Sequence, residues 1–280
     1  MGGTTLKETP FHIQQNLTAE RLRKVLVSLS NTKVDVCCIS NACGLAPTVV
    51  ERVLLPFVRQ LGFLESSNLH LSELGSKMQD INESNPHLLP EAVHHILFTS
   101  HVVDKSKRFS WAYARVVDLL WERGTVTLDR STISQLVGQV VQDAADTFSV
   151  PMEKIAFSVD SMRGVLNWLK ALEPAVTEDG SRFAVFKRRY YCPVAPFLWA
   201  VDFLYRCTQT PHGVRLRLAP ERADQLCKLC ILDPSGLNNV LTMAKKTSDF
   251  ERGGVFDTGT EGGVGCWILL ARPFPVGESL

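Results

Sequence analysis

The stretch VDVCCISNACGLAPTVVERVLLPFVRQLGFLE, residues 34–65, decides the fold that the sequence predicts. Its first part, Val36 to Asn41, is expected to form a short helix. The turn that follows, residues 42–45, contains Gly44, which adopts a positive φ at little steric cost. Thr48 has the side chain of an N-cap, so a second helix is expected to begin there.

A hairpin is predicted directly after this second helix. Its strands are Phe63-Leu64-Glu65 and Leu69-His70-Leu71, and its polar tip is Ser66-Ser67-Asn68. Helix, turn, helix and hairpin in this order are typical of a winged helix, a variant of the helix-turn-helix. The other interpretation is an ordinary helical pair beside a hairpin.

The second half of the chain repeats this pattern without repeating the sequence. A helix over residues 158–172 leads into a predicted hairpin whose tip, residues 177–181, contains an Asp-Gly pair. The chain continues with predicted helices and a last hairpin, at residues 197–205, 220–232 and 235–247 for the helices and 254–257 and 265–270 for the strands.

The residues between these two patterns are predicted to be helical. Helices are expected over 89–103 and 111–123, and a third is expected to follow Ser131 as its cap. The predicted fold is therefore mostly α with small β-hairpins, in which two winged-helix-like modules are joined by a helical middle. The predicted divisions are 1–85 for the first module, 86–156 for the middle, and 157–280 for the second module with its C-terminal extension.

Composition restricts the class of protein. The 280 residues include 30 Lys and Arg against 29 Asp and Glu, a net charge of +1, which argues against a uniformly basic protein. With 45% hydrophobic residues the chain can bury a large core, so its 8 Cys are not needed as disulfides and indicate a reducing compartment. The first residues lack a secretory signal and no apolar run approaches a membrane span, so a soluble, cytoplasmic protein is expected.

The neutral total conceals one basic segment. Residues 157–219 carry 9 basic and 5 acidic side chains, and no acidic residue lies between Asp179 and Asp202. A run of cations beside aromatic rings can bind phosphates by charge and stack on bases. The candidate nucleic-acid-binding residues are Arg182, Lys187, Arg188, Arg189, Tyr190 and Tyr191. A solvated strand end is the alternative interpretation.

Arg52 and Arg59 form a second, weaker candidate set in the first module. They are seven residues apart, so in a regular helix they share one face and can meet backbone phosphates. Glu51 and several apolar residues lie on the same helix, and Pro56 is expected to kink or shorten it. Packing against a partner or against the protein's own core is the alternative.

No motif in the chain supports a reaction class, a metal or a cofactor. Cys227-x-x-Cys230 has no second pair of ligands in the sequence, so buried helix residues are favoured over a zinc site. His94, His95 and His101 lie on one predicted helix, where no Glu or Asp completes a zinc-hydrolase motif, so a partly buried or interface face is favoured over metal ligands. A metal-dependent enzyme that uses Cys227, Cys230 and a histidine is a third hypothesis, and metal analysis of the purified protein tests it.

The order of these features resembles a bacterial family of unknown function encoded near DNA phosphorothioation and phage-defence genes. The resemblance is carried by Leu71-Ser72-Glu73-Leu74-Gly75 after the first hairpin and by Val165-Leu166-Asn167-Trp168-Leu169 before the second. It covers the layout of residues 45–190. It implies an accessory role in DNA modification or antiviral defence and supplies no catalytic residue.

These observations predict a non-catalytic nucleic-acid-binding subunit, with DNA as the expected ligand, in a bacterial defence or transcription-regulation system. The alternative is a tandem winged-helix module that docks protein partners, or a second copy of the chain, in a larger complex. No membrane partner is expected.

Overall fold

The computed structural model describes residues 11–29, 35–66, 68–180, 182–251, 254–261 and 265–277. The helices are α1 (Ala19–Leu29), α2 (Val36–Cys43), α3 (Pro47–Gln60), α4 (Glu73–Ser84), α5 (Leu88–Val103), α6 (Arg108–Arg123), α7 (Arg130–Phe148), α8 (Val159–Lys170), α9 (Val194–Cys207), α10 (Pro220–Cys230) and α11 (Leu237–Glu251). The strands are β1 (Val126–Thr127), β2 (Thr177–Asp179), β3 (Ala184–Phe186), β4 (Leu216–Arg217), β5 (Phe256–Glu261) and β6 (Gly265–Leu270). The prediction of a mostly helical chain with small hairpins is confirmed.

Residues 35–65 contain α2 and α3, which meet at 106°. The predicted turn residue Gly44 has φ 63, and its backbone N–H closes the end of α2. The cap predicted at Thr48 is wrong. Ala46 is the N-cap and Pro47 follows it, because proline's fixed φ and missing N–H suit the first helical position.

Pro56 interrupts the regular backbone hydrogen bonding of α3. It has no N–H to donate to the preceding turn, and directly before it the helix widens into a π-turn over Val50–Leu54. The hairpin after α3 is minimal. Leu64 and Leu71 form a single antiparallel bridge, and Ser67 of the predicted tip lies outside the described residues.

Two units of the chain share one order of elements, which is helix, strand, helix, helix, strand, strand. The first runs from α6 to β3 and the second from α9 to β6. Each builds an antiparallel three-stranded sheet with the last strand in the centre, in the orders β1-β3-β2 and β4-β6-β5. Strands β1 and β4 were not expected from sequence as sheet strands, since each is two residues long.

Three further predictions of element ends need correction. The predicted hairpin tip at residues 177–181 begins too early, because Thr177–Asp179 form strand β2 and pair with β3. Ser131 is not the cap of α7, because the Asp129 side chain accepts the Thr132 N–H at 2.7 Å. The loop predicted from Thr258 begins later, since β5 pairs with β6 as far as Glu261. Residues 262–264 of that loop lie outside the described residues.

Helices α5 and α9 lie at the centre of the molecule. Nearly every residue from Leu89 to Leu97 and from Ala195 to Tyr205 is buried, and α5 contacts α4, α6, α8 and α9. One hydrophobic cluster extends from Phe11 to Phe274. The boundary predicted at 156/157 runs through a sheet, because β1 pairs with β3.

Candidate nucleic-acid interface

The predicted basic segment leaves β3 and runs beside the turn between α10 and α11. The Arg189 N–H donates to the Ile231 carbonyl at 3.0 Å, and the Asp233 N–H donates to the Arg189 carbonyl at 2.8 Å. These two bonds form a parallel bridge between Arg189 and Leu232. The segment is therefore fixed against the start of α11.

Arg189 must be removed from the candidate site. Its side chain is 2% exposed and forms a two-pronged ion pair with Glu91, with N–O distances of 2.6 and 2.9 Å. Its other N–H groups donate to the carbonyls of Cys230 and Glu173 at 2.8 and 3.0 Å. Burial opposes the charged form, but the adjacent Glu91 carboxylate outweighs it and raises the pKa of Arg189. A guanidinium buried this completely cannot reach a phosphate.

The Arg188 guanidinium makes several contacts within the protein. It lies 4.3 Å from the centre of the Trp121 ring, and its Nε donates to the Trp121 carbonyl at 2.7 Å. Its Nη1 is 3.8 Å from the Asp233 carboxylate. Hydrogen bonds from the Ser235 hydroxyl and backbone N–H lower the pKa of Asp233, so this carboxylate stays charged beside Arg188.

Four of the predicted residues remain at the surface. Tyr190 and Tyr191 are 66% and 40% exposed, so their rings are accessible for stacking. Arg182 is exposed and lies over the Phe183 ring at 5.5 Å. Lys187 pairs with Glu178 at 2.8 Å, with both side chains about half exposed, and an exposed pair of this kind is easily exchanged for a phosphate.

A shallow hollow of about 120 Å³ lies at the foot of this segment. It is lined by Gly124, Thr125, Lys187, Arg188, Tyr190 and Asp233. Two cations and one carboxylate meet there, so the hollow carries a small positive charge. Its size suits a single phosphate better than a nucleoside.

Helix α11 adds a polar face that sequence reasoning missed. Leu237, Val240 and Leu241 are buried, while the opposite face is solvent exposed. That exposed face consists of Asn238, Asn239, Thr242, Met243 and Lys246. The signal was present in the sequence, because the apolar residues of this helix recur at helical spacing and leave these five on the other side.

The basic segment packs against the turn that precedes α11. A Cβ placed on Gly236, the residue before α11, would lie 2.5 Å from the Tyr190 carbonyl oxygen. The backbone of Tyr190 therefore packs directly on the 3₁₀ turn Pro234–Gly236, which leads into α11. The four exposed residues of the segment and the exposed face of α11 are together called the α11 surface.

The second candidate set is split by the fold. Arg52 is exposed on the π-turn of α3, whereas Arg59 is half-buried and donates to the Asn68 carbonyl at 3.2 Å. The π-turn changes the angular spacing along the helix, so the seven-residue interval does not place the two cations equivalently. Arg59 holds the hairpin tip, and only Arg52 is free to contact a ligand from this set.

The cysteine and histidine candidates lie in the interior. Burial raises the pKa of Cys227 to about 12, and a hydrogen bond with Cys192 together with burial raises the pKa of Cys230. Burial also lowers the pKa of His94 to about 4, and this ring bonds Tyr113 and the Leu229 carbonyl, both at 2.8 Å. Among the described residues, no three His, Cys, Asp or Glu side chains are arranged to hold a metal ion.

Comparisons with known proteins give no relative for this chain. Neither a scan of protein-family models, nor a search of curated proteins, nor a search of solved structures finds a match. Within the described ranges, no single helix has both the length and the apolar character needed to cross a membrane.

Proposed function

We propose that the protein is a non-catalytic DNA-binding subunit, and that its winged helices are the two sheet-containing units, α6 to β3 and α9 to β6, rather than the modules predicted at 1–85 and 157–280. The fold part of the proposal is supported by the shared element order and by the shared strand order, in which the last strand lies between the other two. In a helix-turn-helix the second helix of the pair enters the major groove. In the C-terminal unit that helix is α11.

The exposed face of α11 is the observation that carries the DNA proposal. An asparagine amide can pair with the major-groove edge of adenine, and a lysine can contact guanine. Asn238, Asn239 and Lys246 present these groups on one helix face, and none of the side chains described on that face is a carboxylate. The corresponding helix of the first sheet unit, α8, is covered instead, since Gly164 packs against the Ile13 carbonyl.

The basic segment supplies the backbone contacts in this proposal. Lys187 and Arg182 bind phosphates, Tyr190 or Tyr191 stacks on a base or sugar, and Arg188 lines the hollow beside them. Arg52 is a separate, distant contact. The setting, proposed from the resemblance of layout, is a bacterial defence or regulatory complex in the cytoplasm.

Fluorescence anisotropy with a labelled duplex, measured over a series of salt concentrations, tests the proposal. The Lys187→Ala/Arg182→Ala variant is expected to reduce the slope of log K against log salt by about 0.9 for each lost phosphate contact. The Asn238→Ala/Asn239→Ala variant is expected to weaken binding about tenfold with an unchanged slope, because the amides carry no charge. The same measurement with single-stranded DNA and with RNA of the same length shows which class of nucleic acid the protein binds most tightly.

The matched control replaces two exposed lysines away from the α11 surface, Lys105→Ala/Lys154→Ala. It is expected to bind the duplex as the unmodified protein does. If the wild-type protein shows no salt-dependent binding, or if both test variants bind like the control, the DNA proposal is wrong.

A further inference from the structure

A groove of about 700 Å³ lies where α5, α6, α9 and α10 meet. Its floor is aromatic, formed by Phe98, Trp121 and Phe203. Three helices contribute residues at intervals of three and four, so each presents one continuous face to the groove. Val102, near the end of α5, extends the apolar surface outward with 41% exposure.

The rim of this groove is acidic. Its charged residues are Asp118, Glu122, Glu221, Asp224 and Lys228. Lys228 lies 2.9 Å from Glu122 and 4.0 Å from Asp118, so a single ammonium group serves two carboxylates. His101, also in the lining, is neutral at pH 7, because burial lowers its pKa to about 4. The groove therefore keeps an excess of negative charge.

Burial makes the excess negative charge of the groove unfavourable in the free protein. Burial raises the pKa of Asp118, Lys228 and more weakly Arg115 lower it, and Glu122 raises it further, so the pKa of Asp118 stays above its ordinary value. A further cation placed at the rim by a ligand would stabilise the charged forms of Asp118 and Glu122. An aromatic floor with an acidic rim thus favours a ligand that has apolar anchors and positive charges along one side.

We infer that this groove docks a lysine- or arginine-rich amphipathic helix of a partner protein. A helix places anchors at intervals of three and four residues, which matches the spacing of the groove walls. Residues 1–10 do not fit the same description, since they hold one lysine, Lys7, followed by Glu8. The inference goes beyond DNA binding and depends on none of the residues varied to test it.

The binding probe is a labelled peptide of about 18 residues, or five helical turns, with leucine on one face and lysine on the other. Two companion peptides separate the contributions, one with glutamate in place of lysine and one with serine in place of leucine. The leucine–lysine peptide is expected to bind the full chain at least about tenfold more tightly than either companion.

The Asp118→Asn/Asp224→Asn variant removes two rim charges with little change of shape. It is expected to weaken binding of the leucine–lysine peptide by about tenfold, with a smaller salt dependence. The matched control, Glu51→Gln/Glu153→Gln, removes two exposed carboxylates outside the groove and is expected to leave binding unchanged. Thermal midpoints of both variants establish that each is folded.

Hydrogen exchange locates the bound peptide. Protection is expected in α10 and in the second half of α5, which line the groove. The inference is overturned if the leucine–lysine peptide does not bind, if the glutamate peptide binds equally well, or if both variants lose affinity equally. Self-association that disappears in the groove variant would assign the groove to a second copy of the chain and would also overturn it.

Discussion

At the scale of single residues, the ion pair with Glu91 holds Arg189 in the core and so withdraws it from the candidate interface. Both side chains are almost fully buried, at 2% and 1% exposure. Their 98-residue separation in sequence means that the pair joins the start of α5 to the segment after β3. Such a pair contributes little net stability compared with apolar residues, but losing one partner leaves a buried charge without its counter-ion.

Removing either partner of this pair should destabilise the fold strongly. Arg189→Ala and Glu91→Ala are each expected to lower the free energy of unfolding by about 3–5 kcal/mol, measured by urea denaturation. The double variant Glu91→Leu/Arg189→Met should cost clearly less than the sum of the single variants, since it leaves no buried charge. Additive losses in the double variant would contradict this account.

Two buried histidines make the stability depend on pH. Burial lowers the pKa of His94 to about 4 and that of His95 to about 3, from an ordinary value of 6.5. The folded state therefore binds fewer protons than the unfolded state below about pH 6.5. Stability is fully present above that pH and is lost as the pH falls toward the folded-state pKa values, by about 3 kcal/mol for His94 and about 5 kcal/mol for His95.

Urea midpoints measured between pH 7 and pH 5 check this expectation. The unmodified protein should lose stability steadily over this range, and the His94→Gln variant, which cannot titrate at that position, should lose it less steeply. A midpoint that is constant over the range would show that these rings are not held neutral by the fold.

At the scale of elements, long periodic helices were predictable and short features were not. Helices α5 to α8 follow from their apolar residues, and α2 ends at the predicted Gly44. The cap of α7 was misplaced because Ser131 and Asp129 are both good caps, and only the fold shows which one accepts the Thr132 N–H. β1 and β4 have two residues each, too few for an alternating pattern to be visible.

The candidate interface was only partly predictable for a similar physical reason. A charged run such as Lys187 to Arg189 is usually solvated, and sequence does not reveal that Glu91 meets its last member in the core. The polar face of α11 was visible as a pattern, but its position beside Tyr190 depends on packing at Gly236. Sequence therefore identified the region, and the fold selected which residues of it are exposed.

The packing of Tyr190 on Gly236 gives a test of this geometry. Gly236→Ala is expected to destabilise the protein by about 1–3 kcal/mol, because its Cβ would lie 2.5 Å from a backbone oxygen. It should also weaken duplex binding, since it displaces the basic segment from α11. Gly138→Ala in α7 is the matched control. Its Cβ meets no atom within 4 Å, so it is expected to stabilise by about 0.5–1 kcal/mol.

At the scale of the whole molecule, the predicted boundaries do not separate independent cores. One hydrophobic cluster extends through residues of all three predicted divisions, and β1 pairs with β3 across residue 156. The Arg189–Glu91 pair joins the predicted middle to the C-terminal division as well. Sequence periodicity reports which face of a helix is apolar, but not which neighbour covers it, so it does not reveal that β1 pairs with β3 across residue 156.

This shared core predicts that the chain unfolds as one cooperative unit. Far-UV circular dichroism reports helix throughout the chain, while fluorescence reports tryptophans spread from α6 to β6 at positions 111, 121, 168, 199 and 267. The two urea transitions are expected to coincide, with one midpoint. Arg189→Ala should shift both signals together, because the pair it breaks lies between the predicted divisions. If the divisions were independent domains, the fluorescence and circular dichroism midpoints would separate, and Arg189→Ala would move only one of them.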